Sequence, residues 1–596
     1  MRAFRAKRWR GVGRATALAC VLLVAIATVA ATSAEARTLA ISPLNGTPDA
    51  SPHTQISFLG VPANEITHVS VVGSSTGGHS GTLRSYVSSA GASFLPKSGF
   101  AQGERVTVSA VVGPRGRTRR VGTSFTVAHL YGYRAPATGR PAPARAGTVQ
   151  SFVSEPSLHP PKIAITASSP AASAGDIFIT PTHGLGQSGP MILDGRGRLI
   201  WNLVVPPSEV AADLQLESYR GQPVLVWWQG RIPTTLGVGF GRDEIYSTAY
   251  TPVATISGGN GYEADLHDVQ ITPQGSAFIT AYTLIDTDLS SVGGSHNGAL
   301  QDSVLQEIDI PTGLVMFEWH AYGHVDLHDS YTTPPSSGLP WDFFHINSIS
   351  ADSWGDGNFI VSSRNTWAAY EVDHVSGTVM WHLGGRRSSF KMGRGTGTAY
   401  QHDVRWQPDH TLTIFDNGAV PKAHSQSRII RERIDWKHRS VSLISRAVRV
   451  PALLTGSQGN NQVLANGNSF VGWGEAPDFT EFSTTGQILF DGHFPSPGQS
   501  YRAYRFPWSA TPAAPPKAAA VTKGATSTVY ASWNGATGVS SWRVLGGPTP
   551  AALSALTAAP AAGFETAIAA PANASFAVQA LGAGGEVLGT SAAVKG

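Results

Sequence analysis

Apolar residues in this chain come in short β-branched and aromatic runs, interrupted every few positions by Gly, Pro, Asn, Asp or Ser. No long stretch has the three-to-four-residue apolar spacing of an amphipathic helix, so the rhythm predicts strands joined by tight turns. The expected class is all-β. Between about 163 and 508 the rhythm becomes a repeat. A turn followed by an apolar run appears as Gly195-Arg-Gly-Arg-Leu-Ile-Trp, Gln274-Gly-Ser-Ala-Phe-Ile-Thr and Gly355-Asp-Gly-Asn-Phe-Ile-Val. It returns as Asp409-His-Thr-Leu-Thr-Ile-Phe and Asn466-Gly-Asn-Ser-Phe-Val-Gly-Trp. Second hairpins lie between these copies, at Pro311-Thr-Gly-Leu-Val-Met, Val375-Ser-Gly-Thr-Val-Met-Trp and Thr484-Thr-Gly-Gln-Ile-Leu-Phe. Two hairpins make a four-stranded unit. Units opening near Asp176, Pro223, His267, His345, His402 and Gln458 predict a six-bladed β-propeller.

The flanks read differently. Runs at Thr54–Leu59, Val69–Val72, Arg105–Val112 and Thr123–Ala128 predict an N-terminal β-sandwich over 37–130. Residues 131–162 are rich in Pro and Ala and read as a linker or surface arm, as does 509–519. Val529-Tyr-Ala-Ser-Trp and Ser541-Trp-Arg-Val-Leu suggest a fibronectin type III-like sandwich over 520–596. On this reading the two end modules are separable and supply no catalytic group. Residues 1–36 have the form of a general-export signal peptide: basic up to Arg14, apolar from Ala15 to Ala31, with Ala34-Glu35-Ala36 as cleavage site. The expected localisation is secreted or extracytoplasmic, with no stable membrane insertion after cleavage.

At 596 residues the chain suits three or four domains, and 41% hydrophobic against 14% charged residues is enough to bury large cores. The net charge of +4 comes from the export segment. Without residues 1–36 there remain 37 basic and 38 acidic residues, a net of −1, so nucleic-acid binding driven by charge is not expected. Cys20, within that segment, is the only cysteine. The mature chain therefore has no disulfide, thiolate nucleophile or Cys-ligated metal.

The repeat register exposes candidate chemistry. Three successive units open with histidine: His267-Asp-Val-Gln-Ile, His345-Ile-Asn-Ser-Ile and His402-Asp-Val-Arg-Trp. Equivalent positions of neighbouring blades face one axis, so the three imidazoles should converge. Arg364 ends the strand Val361-Ser-Ser-Arg, where burial demands an anion or carboxylate partner. A second group, His320, His324 and His328 with Asp326 and Asp329, precedes Pro334-Pro335 and reads as solvated loop rather than metal site. His382, Arg386 and Arg387 fit a strand end and surface turn.

The segment from Phe152 to Trp508 resembles the bacterial arylsulfate sulfotransferases, in their actinobacterial and fungal branch. The matching phrases are Ser154-Glu-Pro-Ser-Leu, Met191-Ile-Leu-Asp, Trp341-Asp-Phe-Phe-His-Ile-Asn-Ser-Ile, Val361-Ser-Ser-Arg-Asn, Tyr400-Gln-His-Asp, Phe415-Asp-Asn-Gly and Ser500-Tyr-Arg-Ala-Tyr-Arg-Phe-Pro-Trp. The resemblance implies a six-bladed propeller that moves a sulfuryl group from a phenolic sulfate ester to a phenol by ping-pong transfer. It implies no nucleotide sulfate donor and no other cofactor, and no GxxxxGK[ST] loop is present. Carried over, the nucleophile that forms a sulfohistidine falls on His402 and the sulfate-gripping arginine on Arg364. His345 and Asn347 match the His-x-Asn pair, with Asn347 touching substrate, and His267 matches the histidine of the preceding blade. The Arg364–His402 spacing is shorter than in the enterobacterial branch, which also lacks the C-terminal sandwich. Two other readings stand beside this one: a metal-dependent propeller hydrolase using the three histidines, and a non-catalytic binding scaffold. Against the metal, no carboxylate shares the histidines' repeat register and Arg364 would repel a cation.

Overall fold

The computed structural model describes residues 38–133, 148–184, 186–233, 235–351 and 357–596. The expected export segment, residues 134–147 of the first Pro/Ala stretch and part of the Gly355 turn lie outside these. The described chain is all-β, with three short 3-10 turns and no α-helix among the described residues.

Six sheets dominate the middle, each built on four antiparallel strands. Their innermost strands are β1 (Val210–Tyr219), β2 (Val269–Ile271), β3 (Ile346–Ala351), β4 (His402–Trp406), β5 (Asn460–Val463) and β6 (Gln499–Phe506). Each of the six touches the innermost strand of the next sheet, and β6 touches β1. Three strands follow β1 through β5 in simple order, whereas β6 pairs back onto Asp176–Thr182, with Phe178 opposite Tyr504. The strand Ala164–Ser168 extends the outer edge of the β5 sheet. Both ends of the region are thereby held in sheets made by distant sequence.

Period-two alternation explains how the sheets pack, because successive side chains leave opposite faces of a strand. Ile177 and Ile179 join one apolar cluster with Phe470 and Phe479 of the β5 sheet, while Phe178 between them joins Trp201, Leu225 and Trp227 toward the β1 sheet. Val226 and Trp228 face the other way, onto Val269 and Ile279 of the β2 sheet. Similar clusters fill the remaining gaps, around Phe317 and Phe344, around Trp381 and Trp406, and around Phe415 and Trp473. Each fully buried side chain of this size contributes about 1.5–3 kcal/mol. These apolar gaps hold the inner strands, and whatever they carry, in fixed positions.

The sequence rhythm places a unit opening at Pro223, but Pro223 lies in the second strand, Gln222–Arg231, and the inner strand is β1. The cause is Asp213 and Gln215, polar residues buried within β1 that break its apolar alternation. Beneath the site the fully buried Arg502 of β6 donates to Asp213 at 2.8 Å, Asp268 at 2.9 Å and the carbonyl of Asn347 at 3.0 Å. Arg405 of β4 donates to Asp268 at 3.0 Å and Asp403 at 2.7 Å. This charge network ties together the inner strands of four sheets and the residue before a fifth. Burying these ions is costly, and only their mutual pairing makes it tolerable.

The flanks are two further sheet pairs. Residues 40–126 form two four-stranded sheets around Ile56, Phe58, Val106, Val108 and Phe125. Residues 517–595 form sheets of three and five strands around Val529, Trp542, Ile568 and Phe576. Both dock closely. Asp309 accepts from the amides of Val87 and Ser88 at 3.1 and 2.8 Å, and Leu314 and Met316 pack with Ala40, Leu59 and Tyr86. Glu565 accepts from the Ser154 amide at 2.6 Å, Asn534 and Asn202 exchange two hydrogen bonds, and Tyr250 donates to the Gly535 carbonyl at 2.9 Å. Residues 38–596 thus form one compact unit.

Candidate functional site

His267, His345 and His402 each stand at the start of an inner strand (β2, β3 and β4), and all three are buried. The strand entries are locally strained. His345, Tyr400, Asp403 and Gln458 have φ of 58°, 58°, 52° and 65°. That left-handed region costs a non-glycine residue about 1–2 kcal/mol, and such residues gather where function requires a set geometry.

His267 and His345 form a pair, their Nε2 atoms 3.0 Å apart. Each Nδ1 meets a carboxylate oxygen at 2.5 Å, Asp265 for His267 and Asp342 for His345. With a hydrogen on each Nδ1, the contact between the two Nε2 atoms needs one more. The pair therefore carries one proton beyond two neutral rings. Burial, Arg364 and His267 hold His345 well below the ordinary imidazole value. Burial alone would raise the Asp265 carboxyl, but His267 and the Gly239 amide outweigh it and hold it below the usual range. Burial pushes Asp342 up to about 6 despite the nearby Arg364.

Arg364 follows the strand Phe359–Ser363, and its amide donates to the His345 carbonyl at 3.0 Å. Its Nη2 donates to Asp342 at 3.1 Å and its Nε to Asn365 at 3.2 Å, while the guanidinium lies 4.7 Å from the Tyr400 ring centre. Arg364 and Asp342 are partly exposed, 15% and 19%, whereas the three imidazoles are buried.

His402 stands apart from the histidine pair. Its Nδ1 donates to the Asn417 side-chain oxygen at 2.7 Å, leaving Nε2 as the lone-pair nitrogen, which accepts the Gln458 amide at 3.2 Å. Burial, Arg364 and the other two imidazoles hold His402 well below the ordinary value, outweighing Asn417. It is a neutral imidazole at pH 7, competent as a nitrogen nucleophile. Asn347 donates to the carbonyl of Gln401 at 2.7 Å, and Gln401 donates to the Ser363 carbonyl at 2.9 Å, so β3, β4 and the Arg364 strand are tied together. The Asn347 and Asp342 Oδ1 atoms, Gln458 Oε1 and the Tyr501 hydroxyl are buried without hydrogen-bond partners. Such groups suit a polar ligand, because burying them unpaired costs about 1–3 kcal/mol each.

His267, His345 and His402 thus stand at the entries of three inner strands, Arg364 follows the strand paired with β3, and Asn347 ties β3 to Gln401, the residue before His402. Two carboxylates accompany the histidines at unequal offsets, outside one repeat register: Asp265 and Asp342 sit two and three residues upstream, in Asp265-Leu-His and Asp342-Phe-Phe-His. Asp342, Asn417, Tyr400 and the Arg502 network escaped sequence reasoning. The second histidine group divides. Exposed His328 bonds to Asp326, Arg387 pairs with Asp326 and Asp329, and His320 lies buried elsewhere.

Residues 215–495 match the family model described as arylsulfotransferase (ASST). This segment is an arylsulfotransferase-family domain. It contains His267, His345, Arg364 and His402, together with Asp265, Asp342 and Asn417. No curated protein matches the chain. Similar solved structures include a protein of unknown function from Bacteroides caccae, 10% identical, covering 54% of this chain and 93% of that one with a TM-score of 0.34. Saccharomyces cerevisiae Sqt1 is 9% identical, covering 84% of this chain and 94% of that one with a TM-score of 0.28. At this distance neither bears on the function of the arylsulfotransferase-family domain. Among the described residues no helix is long and apolar enough to cross a membrane.

Proposed function

We propose that the six sheets form a six-bladed propeller and that the protein is an exported aryl-sulfate sulfotransferase of the actinobacterial and fungal branch. It transfers a sulfuryl group from a phenolic sulfate ester to a phenol without a nucleotide donor. One observation carries the reading: a neutral, lone-pair imidazole, His402, in the electrostatic field of the Arg364 guanidinium and of the His267–His345 pair, within a domain of this family. In the first half-reaction His402 Nε2 attacks sulfur; the N–S bond forms, the S–O bond to the phenol breaks, and a sulfohistidine results. The proton shared by His267 and His345 goes to the leaving phenolate, an acid role worth about 10²–10⁴-fold. Arg364 neutralises charge on the sulfuryl oxygens. In the second half-reaction the pair takes the proton of the acceptor phenol, whose oxygen attacks sulfur as the N–S bond breaks. Asn347 holds Gln401, and with it the approach to His402. The order of the C-terminal strands, with the first, second and fifth in one sheet, supports a fibronectin type III-like module. Turnover of a chromogenic aryl sulfate, dependent on an added phenol and retained after metal chelation, tests the class. Turnover that needs water and a metal would instead favour a propeller hydrolase.

A further inference from the structure

A second constellation lies far from the transfer chemistry in sequence role, where the N-terminal sheet pair meets the β2 sheet. His320 ends the strand Leu314–His320 and is 1% exposed. Its Nδ1 lies 3.1 Å from Asp49 Oδ2 and 3.0 Å from Asp302 Oδ2. Asp49 belongs to the N-terminal sheet pair, Asp302 to the adjacent strand Gly298–Asp309, and both are buried. One imidazole nitrogen offers at most one hydrogen, yet it faces two buried carboxylates. The second Asp49 oxygen has no hydrogen-bond partner, nor has the buried hydroxyl of Tyr262, whose ring centre is 6.3 Å from that of His320. No lysine or arginine pairs with Asp49, Asp302 or Glu318 among the described residues.

The outer contacts are those of a metal ligand sphere. On the far side of the ring, His320 Nε2 meets Glu318 Oε1 at 3.2 Å, the carboxylate–histidine arrangement that orients a ligating imidazole through its other nitrogen. Glu318 is itself fixed by the side-chain amides of Asn260 and Gln306 at 2.7 and 2.6 Å, and Asp302 Oδ1 by the Tyr322 amide at 2.8 Å. On bonds of about 2.1 Å two ligands are about 3.0 Å apart at the right angles of an octahedral ion and about 3.4 Å apart at the tetrahedral angle of zinc. The His320–carboxylate separations of 3.1 and 3.0 Å match the first and need a small opening for the second. The three ligand atoms lie within 4.8 Å of one another. We propose that Asp49, Asp302 and His320 bind one divalent ion of the zinc or manganese type, which staples the N-terminal sheet pair to the β2 sheet. The mixed nitrogen and oxygen set favours these over calcium or magnesium, which take oxygen ligands. The site is structural and independent of the sulfuryl-transfer reading.

The test uses the full chain, stripped with a chelator, dialysed, and reloaded separately with Zn²⁺ or Mn²⁺. Elemental analysis should then find close to one ion per chain, and the melting temperature should rise on loading. Asp49→Asn and Asp302→Asn should lose the ion and the rise. Glu318→Gln, which keeps the ligands but weakens their support, should bind about 10- to 100-fold more weakly. His345→Asn should keep the ion, separating this site from the histidine pair. Absence of bound ion above background after loading with either metal would overturn the proposal. So would loss of the ion in His345→Asn with retention in Asp49→Asn.

Discussion

Asp342 has two partners whose roles differ, the Nδ1 of His345 and the guanidinium of Arg364, and it should touch neither reactant. Asp342→Asn keeps the shape and one acceptor oxygen but removes the charge. A hydrogen bond to a charged group is worth about 1.5–3 kcal/mol and a neutral one about 0.5–1.5, so each bond loses about 1–1.5 kcal/mol. For two bonds this is about 2–3 kcal/mol, or roughly a 30- to 160-fold fall in kcat/KM. Folding should suffer much less. The Asp342 carboxyl is pushed up to about 6, so its ionised form disfavours the folded state at neutral pH. Its protonated form adds stability below the ordinary carboxyl range, and this is lost as pH rises toward 6. Removing the charge relieves that cost, and the melting temperature at pH 7 should stay close to that of the unaltered protein. Steady-state turnover of an aryl sulfate across pH gives the decisive readout. The natural protein should lose activity as pH falls through about 6, where Asp342 takes up a proton, and Asp342→Asn should lose that limb. A variant within twofold of normal kcat/KM, or one retaining the same acid limb, would refute the assigned role.

Other outcomes follow from the same contacts. Arg364→Lys keeps the charge but cannot hold Asp342 and Asn365 with one planar fork, so kcat/KM should fall by about 10²-fold or more with folding intact. His345→Asn should slow transfer yet leave a measurable rate, because His267 and Arg364 remain to stabilise charge. Arg502→Met leaves Asp213 and Asp268 without their shared buried partner; a loss of about 3–5 kcal/mol should lower the melting temperature sharply, and an unchanged value would deny the network its structural role. Truncation after Trp508 removes no residue of the site, so activity at low temperature should persist. It strips the partners of Ser154, Asn202 and Tyr250, however, and heat inactivation should come earlier.

The strands were readable where apolar alternation is local and undisturbed. Arg105–Val112 is both the expected and the observed strand, and the turn-plus-run phrases fall on hairpins of the six sheets. β1 was hidden because its Asp213 faces a guanidinium supplied from β6, and no local signal announces a partner so distant in sequence. The pairing of Asp176–Thr182 with β6 was invisible for the same reason. The register of three histidines predicts His267, His345 and His402 at equivalent places in successive sheets, and each stands at the entry of an inner strand. Asp265 and Asp342 stand two and three residues upstream of two of them, at unequal offsets that a repeat register does not pick out. His320 shows the opposite failure. His324 stays beside it, its Nδ1 on the His320 carbonyl at 2.8 Å, but the carboxylate partners of the His320 ring at Nδ1 are Asp302 on the adjacent strand and Asp49 from the N-terminal module.

The central claim is that His402 carries the sulfuryl group between donor and acceptor. Incubation with an aryl sulfate donor and no acceptor, followed by rapid quenching and peptide mass spectrometry, tests it most directly. One added SO₃ should appear on the peptide containing His402, disappear when a phenol is added, and be absent from His402→Asn, which should be folded and inactive in both half-reactions. An adduct on the peptide of His267 or His345, or full turnover by His402→Asn, would contradict it.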